Sequence, residues 1–502
     1  MFLMPAYIEN ILNYSCVIAS INMPPNTPPP SPTISGSADD ANEDLFEGDV
    51  VEVIDLDEFD DNEEIDDDDM EGNEANLDNE SDMSFSEASG SNYVNKTVEV
   101  NSSAVFSLHK KSVFTCDISP SSNSSLAASG GEDDTAFIWN WKTGELITEL
   151  GSGLPEAPTF KDSVVFTRFN KDGTLVAAAD MSGVIKVWRI PKSVQETASN
   201  SQNGCEIKKD PLWSFETSDV SWLRWHDAAP NVLFAGTEDS QLWMWKVPSG
   251  DSKIYMGSGE KVETAIIFPD GKRIAVAYGD GSIKLFDLKT GEVLNNFIHY
   301  EKLSNPSDGE ETLGMPISSL AVRSDGGGQI LASGGVNGVT KIYNTSTGKT
   351  IGNLACGSSN SRESEGELPN TTAVEDILFS NGDQNVIVTG TLSGKVTIWD
   401  VSTHVSRHSV NVGDGVVKML WRNEPHSTQL FIATLDGVIK ILETRTGKVI
   451  GDCSGHTASI LDICQSVDGS TLISCSDDGD CRVFDVEKVL NAAENYEMEG
   501  NV

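Results

Sequence analysis

The side chains of this 502-residue chain that could move protons, hold a metal or attack a substrate are seven histidines, eight cysteines and 78 carboxylates. Acid–base catalysis needs several such groups converging with tuned protonation. The histidines (His109, His226, His299, His404, His408, His426 and His456) instead stand scattered along the chain. No HExxH, nucleophile elbow, phosphate loop or dinucleotide glycine pattern accompanies them. Glycine-rich pieces such as SDGGGQ join one strand to another rather than a strand to a helix. The cysteines (Cys16, Cys116, Cys205, Cys356, Cys453, Cys464, Cys475 and Cys481) include no CxxC pair. The last four are spaced more widely than zinc ligands usually are, and no histidine pair supports them. They read as reduced, partly buried strand residues. The chemistry implied is non-covalent: no enzyme, no cofactor and no metal.

Charge says more about partners. Of the acids, 25 fall between Glu9 and Glu87, and the first basic residue is Lys96, so the N-terminal arm carries about −25 of the net −44. The other 53 acids against 34 Lys and Arg leave the rest at −19. Phosphate backbones are repelled by such surfaces, so direct nucleic-acid binding is not expected and a protein with a basic segment is. Residues 1–22 are apolar but lack a positive n-region and are too short to span, so neither secretion nor membrane insertion is expected. Met23 is an alternative start. Residues 1–95 read as a Pro-rich (PPNTPPPSP) and then acidic (DDNEEIDDDD) arm, too polar to offset its ordering entropy and so disordered. Within it the segment from Asp49 to Phe59, DVVEVIDLDEF, alternates apolar residues with carboxylates, a pattern suited to strand addition on a partner.

From about residue 103 to 486 the chain changes to short β-branched and aromatic runs punctuated by Gly, Asp and Asn, in a recurring unit. A large apolar residue closes a strand at Trp139, Trp188, Trp245, Phe286, Tyr343, Trp399, Leu442 and Phe484. Six residues before each stands a small turn-forming residue: Asp133, Ser182, Asp239, Asp280, Asn337, Ser393, Asp436 and Asp478. Upstream lies a strand of small apolar residues (LAASG, LVAAAD, LFAGT). A further strand precedes it, as from Val113 to Ile118, Val164 to Phe169 and Val416 to Trp421. Several units end in turns such as KTGEL and RTGKV. Trp399-Asp400, Phe286-Asp287 and Gly455-His456 carry the dipeptides of WD repeats.

The chain therefore resembles the WD-repeat family, which implies an all-β propeller of four-stranded blades, here eight. The eighth unit lacks an outer strand, and AVFSL at 104–108 fits the vacancy, so an N-terminal strand should close the ring and remove open edges. Insertions near 191–212, 300–316 and 355–372 should be surface loops, and 487–502 a short polar tail. His109 and His456 stand where WD repeats brace the turn aspartates Asp133 and Asp478. With Trp139, Asp239, Trp245, Asp280 and Asp436 they read as structural. The turn tips and inner-strand starts offer Glu132, Asp134, Asp162, Asp180, Asp219, Trp222, Glu238, Tyr278, Glu375 and Asp477 as a partner-binding rim, acids beside an apolar anchor.

Longer strings carry a narrower resemblance. SGGEDDTAFIWNWKTGEL (129–146), FKDSVVFTRFNKDGTLVAAADMSGVIKVW (160–188), AGTEDSQLWMWKVPSGD (235–251) and FPDGKRIAVAYGDGSIKLFDLKTG (268–291) are similar to the angio-associated migratory cell protein family, as is the arm with its EVIDLD segment. That resemblance implies a cytoplasmic WD-repeat protein linked in animals to cell migration; the chain itself is expected to be a monomer that binds protein partners. The chain is also similar to a fungal WD-repeat chaperone that escorts a newly made, basic large-subunit ribosomal protein. The two readings are escort of a basic client and a signalling or cytoskeletal scaffold.

Overall fold

The structure is a computed structural model, and it describes residues 100–499 apart from 123, 152–158, 198–205, 301–315, 325–326, 357–372 and 384. The arm at 1–95, with its Asp49 to Phe59 segment, and most of the three insertions lie outside the described residues. The rest forms eight antiparallel four-stranded sheets. Seven are runs of consecutive strands: blade 1 (113–149), blade 2 (164–216), blade 3 (220–256), blade 4 (262–298), blade 5 (317–355), blade 6 (374–411) and blade 7 (416–453). Blade 8 (460–485) takes its fourth strand, Ala104–Phe106, from the other end of the described chain, pairing Ala104 with Val483 and Phe106 with Cys481. Each inner strand touches that of the next blade, and the inner strand of blade 8 touches that of blade 1, so the blades form a ring.

A single blade has two apolar faces and no interior of its own. The cores accordingly lie between blades: Trp188 of blade 2 packs with Ile138 of blade 1, and Trp139 of blade 1 with Ile473 and Val483 of blade 8. All eight strand-closing residues are buried. The second strand is small-residued because the next blade lies directly over it. A Cβ on Gly130 would stand 2.5 Å from Val164 Cγ1, and one on Gly236 2.5 Å from Val262 Cγ1.

The innermost strand of each sheet has an unpaired edge whose amides need acceptors. All eight inner strands carry a register shift between their first and third residues, from Val113/Thr115 to Ile460/Asp462. In four blades the third residue takes the N–H of the fourth residue of the next inner strand. Thr115 Oγ1 accepts from Thr167 (3.3 Å), Ser319 Oγ from Ile377 (3.1 Å), Asp376 Oδ2 from Met419 (2.7 Å) and Asp462 Oδ2 from Cys116 (3.3 Å). Polar side chains thus stitch blade to blade on the channel side, while hydrophobic burial joins them behind it.

Two turns are braced by buried histidines. His109 Nδ1 lies 3.0 Å from Asp133 Oδ1 and its Nε2 2.9 Å from Ser129 Oγ; His456 Nδ1 lies 2.9 Å from Asp478 Oδ2 and its Nε2 2.7 Å from Ser474 Oγ. In blade 5, where Asn337 stands in the aspartate position, His299 Nδ1 lies 2.6 Å from Ser333 Oγ, and burial pushes its pKa down to about 4. Elsewhere the turn is tied locally. The Thr237 and Thr434 hydroxyls donate to Asp239 and Asp436, and the Ser282 amide to Asp280 at 2.9 Å.

Two expectations change. The polar tail is a helix, α2 (Val486–Glu499; α1 is Lys192–Thr197), because Val486, Val489 and Leu490 recur at helical spacing and pack against blade 7 and Phe484. The start of the first insertion is not a free loop either: Val194 in α1 is buried with the blade 1–2 core.

Two tests follow from this architecture. Phe106 is buried and stacks on Trp139 at 4.8 Å between ring centroids. If the ring depends on its strand for closure, Phe106→Ala should cost about 3–5 kcal/mol in urea unfolding, and a chain lacking residues 100–108 should lose at least as much. The Asp478 carboxyl, which burial alone would raise, is held down at about 2 by His456 and by the Thr457 and Asp480 amides. A folded pKa below the ordinary value of about 3.9 gives stability that is present above that pH and lost as pH falls toward 2. Asp478→Asn should therefore be less stable than the parent by about 1–3 kcal/mol at pH 7, with the gap closing near pH 2.

Candidate protein-binding rim

The rim is built from the turns between second and third strands and from the residues leading into the inner strands. Over blades 1 to 3 these bring carboxylates together. Asp134 is exposed at a turn tip in a left-handed conformation (φ 59°), which aspartate tolerates. Burial raises its pKa, and Asp162 of the next blade raises it further. The Asp219 carboxyl is pushed up to about 6, by burial first and then by Glu238, Asp162 and Asp180. Repulsion of this kind is felt between neighbouring carboxylates.

The remaining candidates divide. Glu132 pairs with Lys111 at 3.4 Å, and Asp477 accepts from the Ser112 hydroxyl at 2.5 Å, placing both beside the seam of blades 8 and 1. Glu375 lies on blade 6, away from the cluster. Trp222 is half-buried at the third position of its inner strand, and Phe166 holds the same place in blade 2; each leans on an inter-blade core and keeps part of its ring exposed.

Two candidates do not belong to the rim surface. Asp180 is fully buried: it accepts from the Lys161 and Val184 amides (2.9 and 2.8 Å) and from the Ser182 hydroxyl (3.0 Å). Its blade has no bracing histidine, and this carboxylate holds the turn instead. Tyr278 is also fully buried, its ring in the core between blades 3 and 4, because it ends a second strand that the neighbouring blade covers.

The channel holds a charged network that turn positions do not reveal. The buried Asp462 carboxylate is engaged by the Lys418 ammonium and lies 3.5 Å from Arg168 Nη1; that nitrogen also donates to Thr115 Oγ1 at 2.8 Å. Burial works against its ionisation, but Lys418 and Arg168 hold it below the usual carboxylate range. Asp117 and Asp376, with less cationic compensation, are pushed up to about 6 by burial. An available sequence signal was the polar third residue of the inner strands: Thr115, Ser319, Asp376, Lys418 and Asp462. At one end of this network opens a cleft of about 380 Å³, lined in part by Asp117, Arg168, Lys418, Asn423, Cys464 and Gln465. Among the described residues no group of three or more His, Cys, Asp or Glu is placed to hold a metal, and no helix is long and apolar enough to cross a membrane. The arrangement suits electrostatic recognition of a polypeptide.

Comparison with known proteins agrees on the fold. The WD domain, G-beta repeat family matches residues 101–140 and 447–485, and the anaphase-promoting complex subunit 4 WD40 domain matches 230–305. The human angio-associated migratory cell protein is 36% identical over 390 residues, which is 77% of this chain and 81% of that protein. An uncharacterised WD repeat-containing protein of Schizosaccharomyces pombe is 27% identical over 76% of the chain and 85% of its own length. Among solved structures, Saccharomyces cerevisiae Sqt1 superposes with a TM-score of 0.63 at 20% identity, over 77% of this chain and 99% of that one. Chaetomium thermophilum Sqt1 bound to the N-terminus of the ribosomal protein L10 gives 0.62 at 20% identity, over 77% and 100%. At such identity these structures speak for the fold alone. The identity and coverage shared with the human protein, together with eight WD-type blades, establish that this chain is a WD-repeat β-propeller scaffold belonging to the angio-associated migratory cell protein family.

Proposed function

We propose that this propeller grips a Lys/Arg-rich segment of a protein client on the rim of blades 1 to 3 and escorts it in the cytoplasm, without covalent chemistry. The client class favoured is a newly made, basic large-subunit ribosomal protein. The observation that carries the reading is the gathering of Asp134, Asp162, Asp219 and Glu238 on one arc, where burial and mutual repulsion raise the Asp134 and Asp219 carboxyls. An incoming ammonium or guanidinium relieves that repulsion, and Trp222 and Phe166 offer apolar surface beside it. Net charges of −19 on residues 88–502 and −25 on the preceding segment favour fast, salt-sensitive capture of a cation-rich chain. The Sqt1 complex supports this reading, since a propeller of the same fold there holds a ribosomal-protein segment.

The test is affinity capture from cytosol by the full-length chain and by a variant carrying Asp134→Asn, Asp162→Asn, Asp219→Asn and Glu238→Gln. Enrichment of a basic ribosomal protein should fall at least tenfold in the variant. In the parent it should weaken as salt rises, since screening acts beyond about 8 Å at physiological ionic strength. Binding should also weaken as pH falls from 7.5 to 5.5, because Asp219, raised to about 6, takes up a proton and loses the charge that the client reads. Partners from the cytoskeleton or signalling machinery, captured equally by both chains and indifferent to salt, would replace this proposal with a cortical scaffold.

A further inference from the structure

The seam between blades 8 and 1 gathers four cysteines: Cys116 and Cys464 on the two inner strands, and Cys475 and Cys481 facing each other in register on the strands behind. All four are buried and none is in a disulfide. Cys116 and Cys464 are 348 positions apart in the chain, yet their sulfurs lie 3.8 Å from one another. Both also border the cleft at the end of the channel, although both are buried.

The two thiols are unequal. Burial pushes the Cys116 thiol up, but the hydrogen bond from the Cys464 thiol, with the neighbouring Cys475 and Lys418, outweighs it and brings it down to about 6. Burial pushes the Cys464 thiol well up. A thiolate nucleophile beside a protonated thiol is the arrangement of a redox-active pair, in which one sulfur is oxidised and the other resolves it.

We propose that Cys116 and Cys464 form a hydroperoxide-responsive site whose oxidised state is a disulfide joining the first and last blades. The Cys116 thiolate attacks one peroxide oxygen; the O–O bond breaks, Cys116 becomes a sulfenic acid, and the other oxygen leaves as hydroxide or alkoxide and takes a proton from solvent to become water or an alcohol. The Cys464 sulfur then attacks the sulfenic sulfur; the S–S bond forms, and the departing hydroxide takes the Cys464 proton as water. Two electrons pass from the thiol pair to the peroxide. A disulfide spans about 2.05 Å, so the sulfurs must approach by a further ~2 Å from their 3.8 Å separation. Cys475 is the less suitable partner, because it lies behind the inner strands, off the cleft, with its thiol directed at the Asp462 carbonyl at 3.7 Å. The link would fall where the ring otherwise rests on non-covalent contacts, the Asp462 bond to the Cys116 amide and the three residue pairs of the Ala104–Phe106 strand.

The experiment treats the reduced full-length chain with hydrogen peroxide, blocks free thiols by alkylation and resolves the products on a non-reducing gel with peptide mapping. A loop of this length compacts the denatured chain, so a faster band that dithiothreitol abolishes is expected, with Cys116 and Cys464 in one cross-linked peptide. The band should be absent from Cys116→Ser and Cys464→Ser and retained in Cys475→Ser and Cys453→Ser. No such band, a cross-link to Cys475 or Cys481, or Cys116 recovered only as a sulfinic or sulfonic acid would overturn the proposal. Should either seam variant fail to fold, the peptide map of the parent chain decides.

Discussion

Burial between neighbouring blades is the interaction on which everything else in this molecule depends. No blade encloses a core; each offers two apolar faces, and only contact with a blade on either side removes both from water. Seven of the eight junctions join blades consecutive in the chain and involve modest sequence separation. The eighth, between blades 8 and 1, joins residues some 350 positions apart, as Cys116 and Cys464 illustrate. It is also where the chain departs from its own pattern, supplying the outer strand of the last sheet from residues 104–106 and anchoring it through Asn101 to Ser454 and Asp452.

The same ring geometry separates two kinds of charge. Carboxylates at the turn tips face water and each other, so their repulsion is available to a cationic ligand. Carboxylates on the inner strands are committed to the fold: Asp376 and Asp462 satisfy neighbouring amides, and Asp462 is neutralised by Lys418 and Arg168. An acidic protein thus keeps its channel carboxylates partly compensated by Lys418 and Arg168. The proposed recognition of a basic partner and the integrity of the ring would then rest on different residues.

Much of this was legible beforehand. Eight strand-closing residues in register, each six positions after a turn former, defined the blades even where tryptophan is replaced by Tyr343 or Leu442, because burial at that site demands bulk rather than one side chain. The strand boundaries from Val113 to Ile118 and from Val416 to Trp421 coincide with those observed, each strand beginning and ending on a buried apolar residue. The rim was legible only in part. Asp180 and Tyr278 end their second strands, a position buried in all eight blades and one residue short of the turn positions held by Glu132, Glu238 and Asp477, so a one-residue difference in register separates a residue that the next blade covers from one on the rim.

What the sequence determined alone was therefore the repeating unit, its period, its turn chemistry and the acidic character of the whole, all set by local sterics and by the alternation of polar and apolar residues. Tertiary structure decided which residues from different blades meet. It made Thr115, Asp376 and Asp462 acceptors for the next blade, drew Asp134, Asp162, Asp219 and Glu238 onto one arc, folded Val486–Glu499 against blade 7, and set two cysteine sulfurs side by side across the seam. The reason is physical: a β-propeller's junctions depend on the angle at which blades pack, and that angle follows from the summed fit of eight interfaces rather than from any one strand.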